Sequence, residues 1–337
     1  MTPFTCHFRK GIRCSSLIFR QEQRVVCRWP SFQRQFSEAS GDSDDDRVTT
    51  EIDAPTGICR VQLARPKKLN AFDMAMFEAI VETANKLKSD RSIRAVILSG
   101  QGRAFSTGLD VKAVLKDGNP QKKIRRLIER RSRSCSVPMN ENNDGDGDYQ
   151  TIRSSGRSIT SNLAQDVSIL WRELNVPVIA VLQGMCYGAG LQVALGADFR
   201  YSTPDCKLSI MEGKWGLIPD MGASIFLPEL MRIDVAKELT MTGRIISGSE
   251  AANLGLVTRV CDDPMKEAEL FAKELLERSP DAIAATKQLY QRTWTASDDE
   301  SLRLETRLQE GLLVSWNQLA ASGRSALGWN VPYKKRK

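Results

Sequence analysis

Two carboxylates eight residues apart, Glu212 and Asp220, are the residues of this chain best suited to acid/base chemistry. Glu212 sits among Ile210, Met211, Trp215 and Leu217. Apolar surroundings disfavour the charged carboxylate, which raises its pKa toward the range a general acid or base needs near neutral pH. Asp220 lies in a Pro219-Asp220-Met221-Gly222 turn. Each has a plainer alternative: Glu212 could pair with Lys214 or Arg200, and Asp220 could cap a helix over 223–230. Two loops could supply an electrophilic counterpart. Gly188-Ala189-Gly190 follows an apolar run and opens a helix. N–H groups there point out at the positive end of the helix dipole and suit a phosphate or a developing oxyanion. The dinucleotide fingerprint needs glycine where Val193 stands, and the P-loop Gly-Lys-Ser/Thr is absent, which favours the oxyanion. The segment Arg103–Lys112 ends another apolar run in a small-residue turn and could aim a second N–H at the same oxygen. Two convergent backbone donors are what an oxyanion hole requires. A tight turn without chemistry remains the alternative for both loops.

Composition narrows the chemistry further. The single histidine is His7, so the body of the chain has no imidazole for a Ser-His-Asp triad, a Cys-His pair or a zinc site. The eight cysteines include no C-x-x-C pair, and their scatter suggests reduced, mostly buried thiols. Asn140–Asp148 has the look of a calcium loop, but with Asn140 as position 1 the twelfth position is Thr151 instead of a bidentate Glu. No metal is expected. The net charge of +7 would suggest nucleic acid, yet residues 1–37 carry +6 and Lys334–Lys337 another +4, leaving the body at −3.

Stepping outward, Val48–Asp53 and Ile58–Leu63 read as strands around a turn, and Met74–Leu87 has apolar residues at helical spacing. Ala95–Leu98 and Pro177–Leu182 are short continuous apolar runs, as in strands buried on both faces. Leu163–Leu174, 264–278 and 281–293 read as helices. Strands alternating with helices indicate an α/β fold. Residues 1–37 are Arg-rich with one acid, the composition of a mitochondrial transit peptide, with processing near Ser37–Ser40. Residues 38–47 read as an acidic linker and 48–260 as the core. Residues 117–150 read as an inserted mobile loop with a basic, possible helix at Lys122–Arg133, 261–321 as a helical region, and 322–337 as a loose basic tail. No apolar run reaches the ~18 residues a membrane-spanning helix needs.

The ordered segments Leu63–Ala71, Ala104–Asp110, Gln183–Gly190, Ala197–Arg200, Lys214–Pro219, Thr242–Ala251 and Gly255–Val257 are similar to the crotonase superfamily of enoyl-CoA hydratases and isomerases. The resemblance implies a spiral of ββα turns, a C-terminal helical region that assembles a homotrimer or homohexamer, and an acyl-CoA substrate whose coenzyme A is no separate cofactor. It places the oxyanion hole at the N–H groups of Leu109 and Ala189. Substrate contacts fall at Gly108, Asp110, Val111, Lys112, Gly190 and Gln192, and coenzyme A contacts at Lys67, Lys68 and Lys287. Hydratases of the superfamily use two glutamates; the second matches Glu212, but the first falls on Gln192, and an amide cannot accept a proton as a carboxylate does. Dienoyl-CoA isomerases carry a Glu and an Asp with the spacing of Glu212 and Asp220, although their third acidic residue is also replaced by Gln192. The resemblance therefore implies an isomerase shifting double bonds of (di)enoyl-CoA in the oxidation of unsaturated fatty acids, with Gln192 placing substrate or water, and the composition of residues 1–37 implies the mitochondrial matrix as its place. A hydratase working through Glu212 alone is the alternative. A crotonase-fold RNA-binding protein using Lys122–Arg133 is less favoured, because that stretch has no aromatic residues for base stacking.

Overall fold

The computed structural model describes residues 46–116, 120–130 and 161–337. The expected transit peptide, most of the linker, the acidic run Asn140–Asp148 and most of the insertion lie outside them. A six-stranded sheet runs in the order β1 (Val48–Asp53), β2 (Ile58–Leu63), β3 (Ala95–Gly100), β4 (Val178–Leu182), β6 (Phe199–Ser202), β9 (Arg259–Val260). Only the β1–β2 pair is antiparallel. A smaller sheet joins β5 (Met185–Tyr187), β7 (Lys207–Ser209) and β8 (Ile246–Ser247).

The chain builds these two layers by repeating one move. A strand in the large sheet is followed by a short strand in the second layer and then by a helix. β4 leads to β5 and the helix Ala189–Leu195; β6 leads to β7 and a 3-10 helix over Met211–Trp215. After β3 the chain makes the same step, with Ser106 bridging parallel to Cys186, and then enters the helix Val111–Lys116. One layer further out Phe72 bridges Leu109. The result is the mixed α/β spiral of ββα turns with a helical C-terminal region.

Apolar patterning explains the layers. β3 and β4 are buried at every position, because helices cover both faces of a parallel sheet. The helix Met74–Ser89 turns Met76, Phe77, Ile80, Ala84 and Leu87 inward, and Asp73 caps it by accepting the Met76 N–H at 2.9 Å. The helix Leu163–Glu173 starts on a reciprocal capping box between Asn162 and Gln165. Pro120–Ile128 is helical, and Arg126 there pairs with Glu78.

The C-terminal segment departs from the loose tail that its composition suggests. Helices run over Pro264–Leu276, Pro280–Thr293, Asp298–Leu312 and Trp316–Leu327, so the last one extends past residue 322. The residues after it fold back. The Lys334 N–H donates to Asn317 and the Lys337 N–H to Asp281, both at 2.8 Å. Arg336 is buried and reaches the Asp90 carbonyl, while Arg94 and Arg324 stack on the Tyr333 ring. Composition missed this because the anchoring uses backbone amides and cation–π contacts to distant residues instead of an apolar stripe.

Candidate active site

The site forms where the second layer passes from strand to helix. Ser106 donates its N–H to the Met185 carbonyl and accepts the Tyr187 N–H, both at 3.0 Å, which clamps the 106–109 loop beside the 187–190 loop. Gly108 has φ +85°, and a Cβ there would stand 2.8 Å from the Tyr187 carbonyl oxygen and 3.5 Å from the Ala189 nitrogen. Gly190 lies against Ser106, where a Cβ would come within 2.5 Å of the serine Cβ. Only glycine permits both close approaches. The two N–H groups following these turns, Leu109 and Ala189, have no acceptor among the described residues. They are adjacent donors, and the Gly190 and Leu191 N–H groups that follow Ala189 in the first turn of its helix are likewise without an acceptor among the described residues.

Residues outside the sequence-derived candidates hold this pair in place. Asn70, fully buried and left-handed at φ 54°, donates to the Ala104 and Gln101 carbonyls and accepts the Arg65 N–H. The Ser106 hydroxyl donates to the Asn70 carbonyl and accepts the Gly108 N–H. An Asn between Leu69 and Ala71 carries one usable signal, its tolerance of left-handed backbone. Asp110 is pinned by Arg65 at 2.9 Å and accepts the Ala113 N–H at 3.0 Å. Burial alone would raise its carboxyl pKa, but these two donors hold it below the usual value. Asp110 thus fixes the loop and starts the helix that carries Val111 and Lys112.

Glu212 comes to the same place from the 3-10 helix Met211–Trp215. Its Oε1 lies 3.5 Å from where a Gly188 Cβ would be, beside the start of the helix Ala189–Leu195. Oε1 accepts the Gln192 amide at 2.6 Å, and Oε2 is buried without a partner. Burial raises the Glu212 pKa and the Asp220 charge adds to it, against the lowering pull of its own backbone and of Gln192. Asp220 is exposed as a residue, yet the protein around its carboxyl removes enough water to push that pKa up as well. The plainer roles do not hold. Arg200 donates to the Leu256 and Ala197 carbonyls, and the helix Ala223–Leu230 is capped at Gly222 without a side-chain bond.

The structure therefore gathers Gly108, Leu109, Ala189, Gly190, Gln192 and Glu212, with Asp220 close enough for its charge to be felt at Glu212. Lys67 and Lys68 are exposed on a short 3-10 helix whose following residues bond to the 106–107 loop. Lys112 is exposed at the start of its helix. Lys287 must be corrected. Its ammonium is buried, ion-paired with Asp198 at 2.7 Å, and donates to the Trp171 and Val176 carbonyls. All three donors are used inside the fold, so none is left for coenzyme A. Burial lowers its pKa, with the Asp198 charge opposing. Lys287→Met is expected to cost on the order of 3 kcal/mol, because Asp198 is left without its cation. KM for an acyl-CoA should stay within twofold. A thermal melt paired with KM checks this, and a raised KM with an unchanged melt would return Lys287 to the binding site.

Among the described residues no group of three His, Cys, Asp or Glu could hold a metal ion, and no helix is long and apolar enough to cross a membrane. What the arrangement can do is accept and return protons beside two backbone donors facing a developing negative charge. That combination, on a ββα spiral, defines a class of enzymes using carboxylate acid/base chemistry with an oxyanion-type pair of N–H groups.

Comparisons with known proteins narrow the class. A family model described as enoyl-CoA hydratase/isomerase matches residues 53–133 and 147–317. Carnitinyl-CoA dehydratase of Salmonella typhi is 30% identical over 249 residues, covering 73% of this chain and 81% of that protein. Crystal structures of enoyl-CoA hydratases share the fold. The Bacillus anthracis protein superposes with a TM-score of 0.68 at 23% identity, covering 86% of this chain and 99% of its own. The Mycobacterium tuberculosis H37Rv protein gives 0.68 at 22% identity with the same coverage. The chain belongs to the enoyl-CoA hydratase/isomerase family of the crotonase superfamily, and it is an acyl-CoA enzyme of hydratase/isomerase type.

Proposed function

We propose that this protein is an acyl-CoA isomerase of the dienoyl-CoA type, moving double bonds from the 3,5 to the 2,4 positions in the oxidation of unsaturated acyl chains. The thioester oxygen sits against the N–H groups of Leu109 and Ala189. One of Glu212 and Asp220 removes a proton, leaving an enolate conjugated with the double bonds. The N–H pair stabilises the charge on oxygen, and the other carboxylate delivers a proton at the far end of the conjugated system. One proton leaves and one arrives, so mass is unchanged. Lys67, Lys68 and Lys112 are exposed where they could meet the phosphates of coenzyme A. The observation that carries the reading is Glu212, its Oε2 buried without a partner and its Oε1 bonded to Gln192, an amide at the position where hydratases need a second carboxylate, with Asp220 near enough for its charge to raise the Glu212 pKa.

The test is turnover of a 3,5-dienoyl-CoA followed by absorbance. The expected product has unchanged mass and 2,4 conjugation. A product heavier by one water would instead support the hydratase or dehydratase reading, which the likeness to carnitinyl-CoA dehydratase favours. The pH dependence follows from the raised Glu212 pKa. If the free enzyme's base is Glu212, kcat/KM falls as pH drops through a value above the ordinary carboxyl range. Asp220→Asn removes a charge that raises this pKa, so the acidic limb should move to lower pH while turnover falls. An acidic limb that does not move would separate the two carboxyls.

A homotrimer or homohexamer is supported by large apolar side chains left exposed on the C-terminal helices and at their junctions, among them Trp294, Leu302 and Val314. Sedimentation at the protomer mass would defeat it. Location in the mitochondrial matrix rests on the composition of residues 1–37. A reporter fused behind those residues that remains in the cytosol would defeat that part.

A further inference from the structure

Gln192 is buried to 1% exposure, and its amide is hydrogen-bonded at both ends. Its oxygen accepts the Met221 N–H at 2.8 Å, and its nitrogen donates to Glu212 Oε1 at 2.6 Å. The amide orientation is forced, because a backbone N–H can only donate, so the atom facing Met221 must be the oxygen. The NH2 group then faces the carboxylate. Two consequences follow. Gln192 presents only donors to Glu212 and can take no proton from it. Each end of the amide is bonded to protein and the side chain is buried, so its second N–H is the one donor it could still offer to a substrate or a water.

The same amide joins three pieces of the site. It stands on the helix Ala189–Leu195, whose first N–H belongs to the candidate oxyanion pair. It holds one oxygen of Glu212, from the 3-10 helix Met211–Trp215, and leaves Oε2 as the unpartnered oxygen. It also grips the backbone of Met221, the residue next to Asp220. Chains of hydrogen bonds of this kind polarise one another in a low-dielectric interior.

We infer that Gln192 is a positioning residue, one that reserves Oε2 of Glu212 for proton transfer and fixes the Glu212 carboxylate relative to the Asp220 turn. Substitution of an amide for a carboxylate at this position thereby removes a water-activating group and supplies a clamp in its place. The inference rests on Glu212 being the working carboxylate, and it replaces the expectation that Gln192 places substrate or water directly.

The experiment uses the full chain and two independent readouts. The first is carbon-13 NMR titration of the Glu212 carboxyl, which needs no turnover. The second is kcat and KM for a 3,5-dienoyl-CoA across pH. Gln192→Leu keeps the size but removes the donor, so the Glu212 titration should move to higher pH. kcat should fall by about tenfold or more while KM stays within twofold, the pattern of an interaction made through a catalytic group. Gln192→Glu keeps the shape and puts two carboxyls where one proton must be shared, so Glu212 should titrate in two coupled steps. Rescue should be partial between those two steps, where the introduced carboxyl keeps its proton and can donate while Glu212 is ionised. This second variant carries the test if Gln192→Leu fails to fold. An unmoved Glu212 titration in a folded variant overturns the inference, as does a raised KM with kcat intact. Turnover surviving in Glu212→Gln overturns the proposed role of Glu212 itself. Loss there, with Gln192→Leu indistinguishable from the parent chain, overturns the role of Gln192 alone.

Discussion

Replacing Glu212 with glutamine is expected to reduce turnover of a 3,5-dienoyl-CoA by roughly a thousandfold, within the range that positioned acid/base groups contribute. The substitution is nearly isosteric. The new amide can turn its oxygen toward the Gln192 donor, which now approaches Oε1 at 2.6 Å, and place its NH2 where Oε2 is buried without a partner. The fold should persist, the relief of a buried charge offsetting an NH2 group left without an acceptor. A carboxyl whose pKa is raised in the folded chain binds its proton more tightly there than in the unfolded chain. Ionisation above the unfolded pKa therefore costs stability, and a neutral amide removes that cost. A melting temperature equal to or above that of the parent chain, with activity lost, is the expected signature. Undiminished turnover in the double variant Glu212→Gln, Asp220→Asn would sink the acid/base assignment.

Gly108→Ala is expected to cost about a hundredfold or more in kcat, comparable to the loss of one oxyanion donor. The residue's φ is +85°, and the new Cβ would stand 2.8 Å from the Tyr187 carbonyl. Neither strand can yield freely, because Ser106 bridges to Cys186 and Phe72 bridges to Leu109 on either side of the turn. Relief comes from shifting the peptide that carries the Leu109 N–H. Near-normal kcat in a variant with an intact melt would show that the Leu109 donor does not face the reacting oxygen. An equal loss in kcat and in melting temperature would show only that the glycine supports the fold. Binding of a substrate analogue by calorimetry distinguishes the two, since an oxyanion donor matters most after charge has developed.

Much of the scaffold is legible in the residues. β1 and β2 span Val48–Asp53 and Ile58–Leu63, the bounds read around the turn at 54–57, and the helix at Met74 runs two residues beyond the expected Leu87. Apolar periodicity reports which side of an element faces the core, and β2 and this helix follow it because each buries one coherent face, whereas the edge strand β1 has no buried position. Lys287 and the tail are the counterexamples. Lys287 lies on the amphipathic helix Pro280–Thr293, and nothing local marks its ammonium as buried. Its partners Asp198, Trp171 and Val176 come from two other elements. Asn70 was contained in a matched segment but without a role, because its acceptors at Gln101 and Ala104 are set by how two loops pack.

The sequence by itself determined the kind of chemistry. A body without imidazole is left with carboxylates, backbone N–H groups, Lys, Tyr, Ser or Cys, glycines at 108, 188 and 190 leave N–H groups accessible, and the ordered motifs define the family. It also showed that residue 192 is an amide, which weakens a two-carboxylate hydration. Only the tertiary structure decided what that amide does. Residues 192 and 212 are separated by two strands and a turn, and the direction of the amide depends on a third segment, at Met221, donating to its oxygen. Residue type limits which proton transfers are possible, whereas the orientation of a hydrogen bond is a property of every group packed around it. That is why the same chain that declares its carboxylates in sequence reveals their arrangement only when folded.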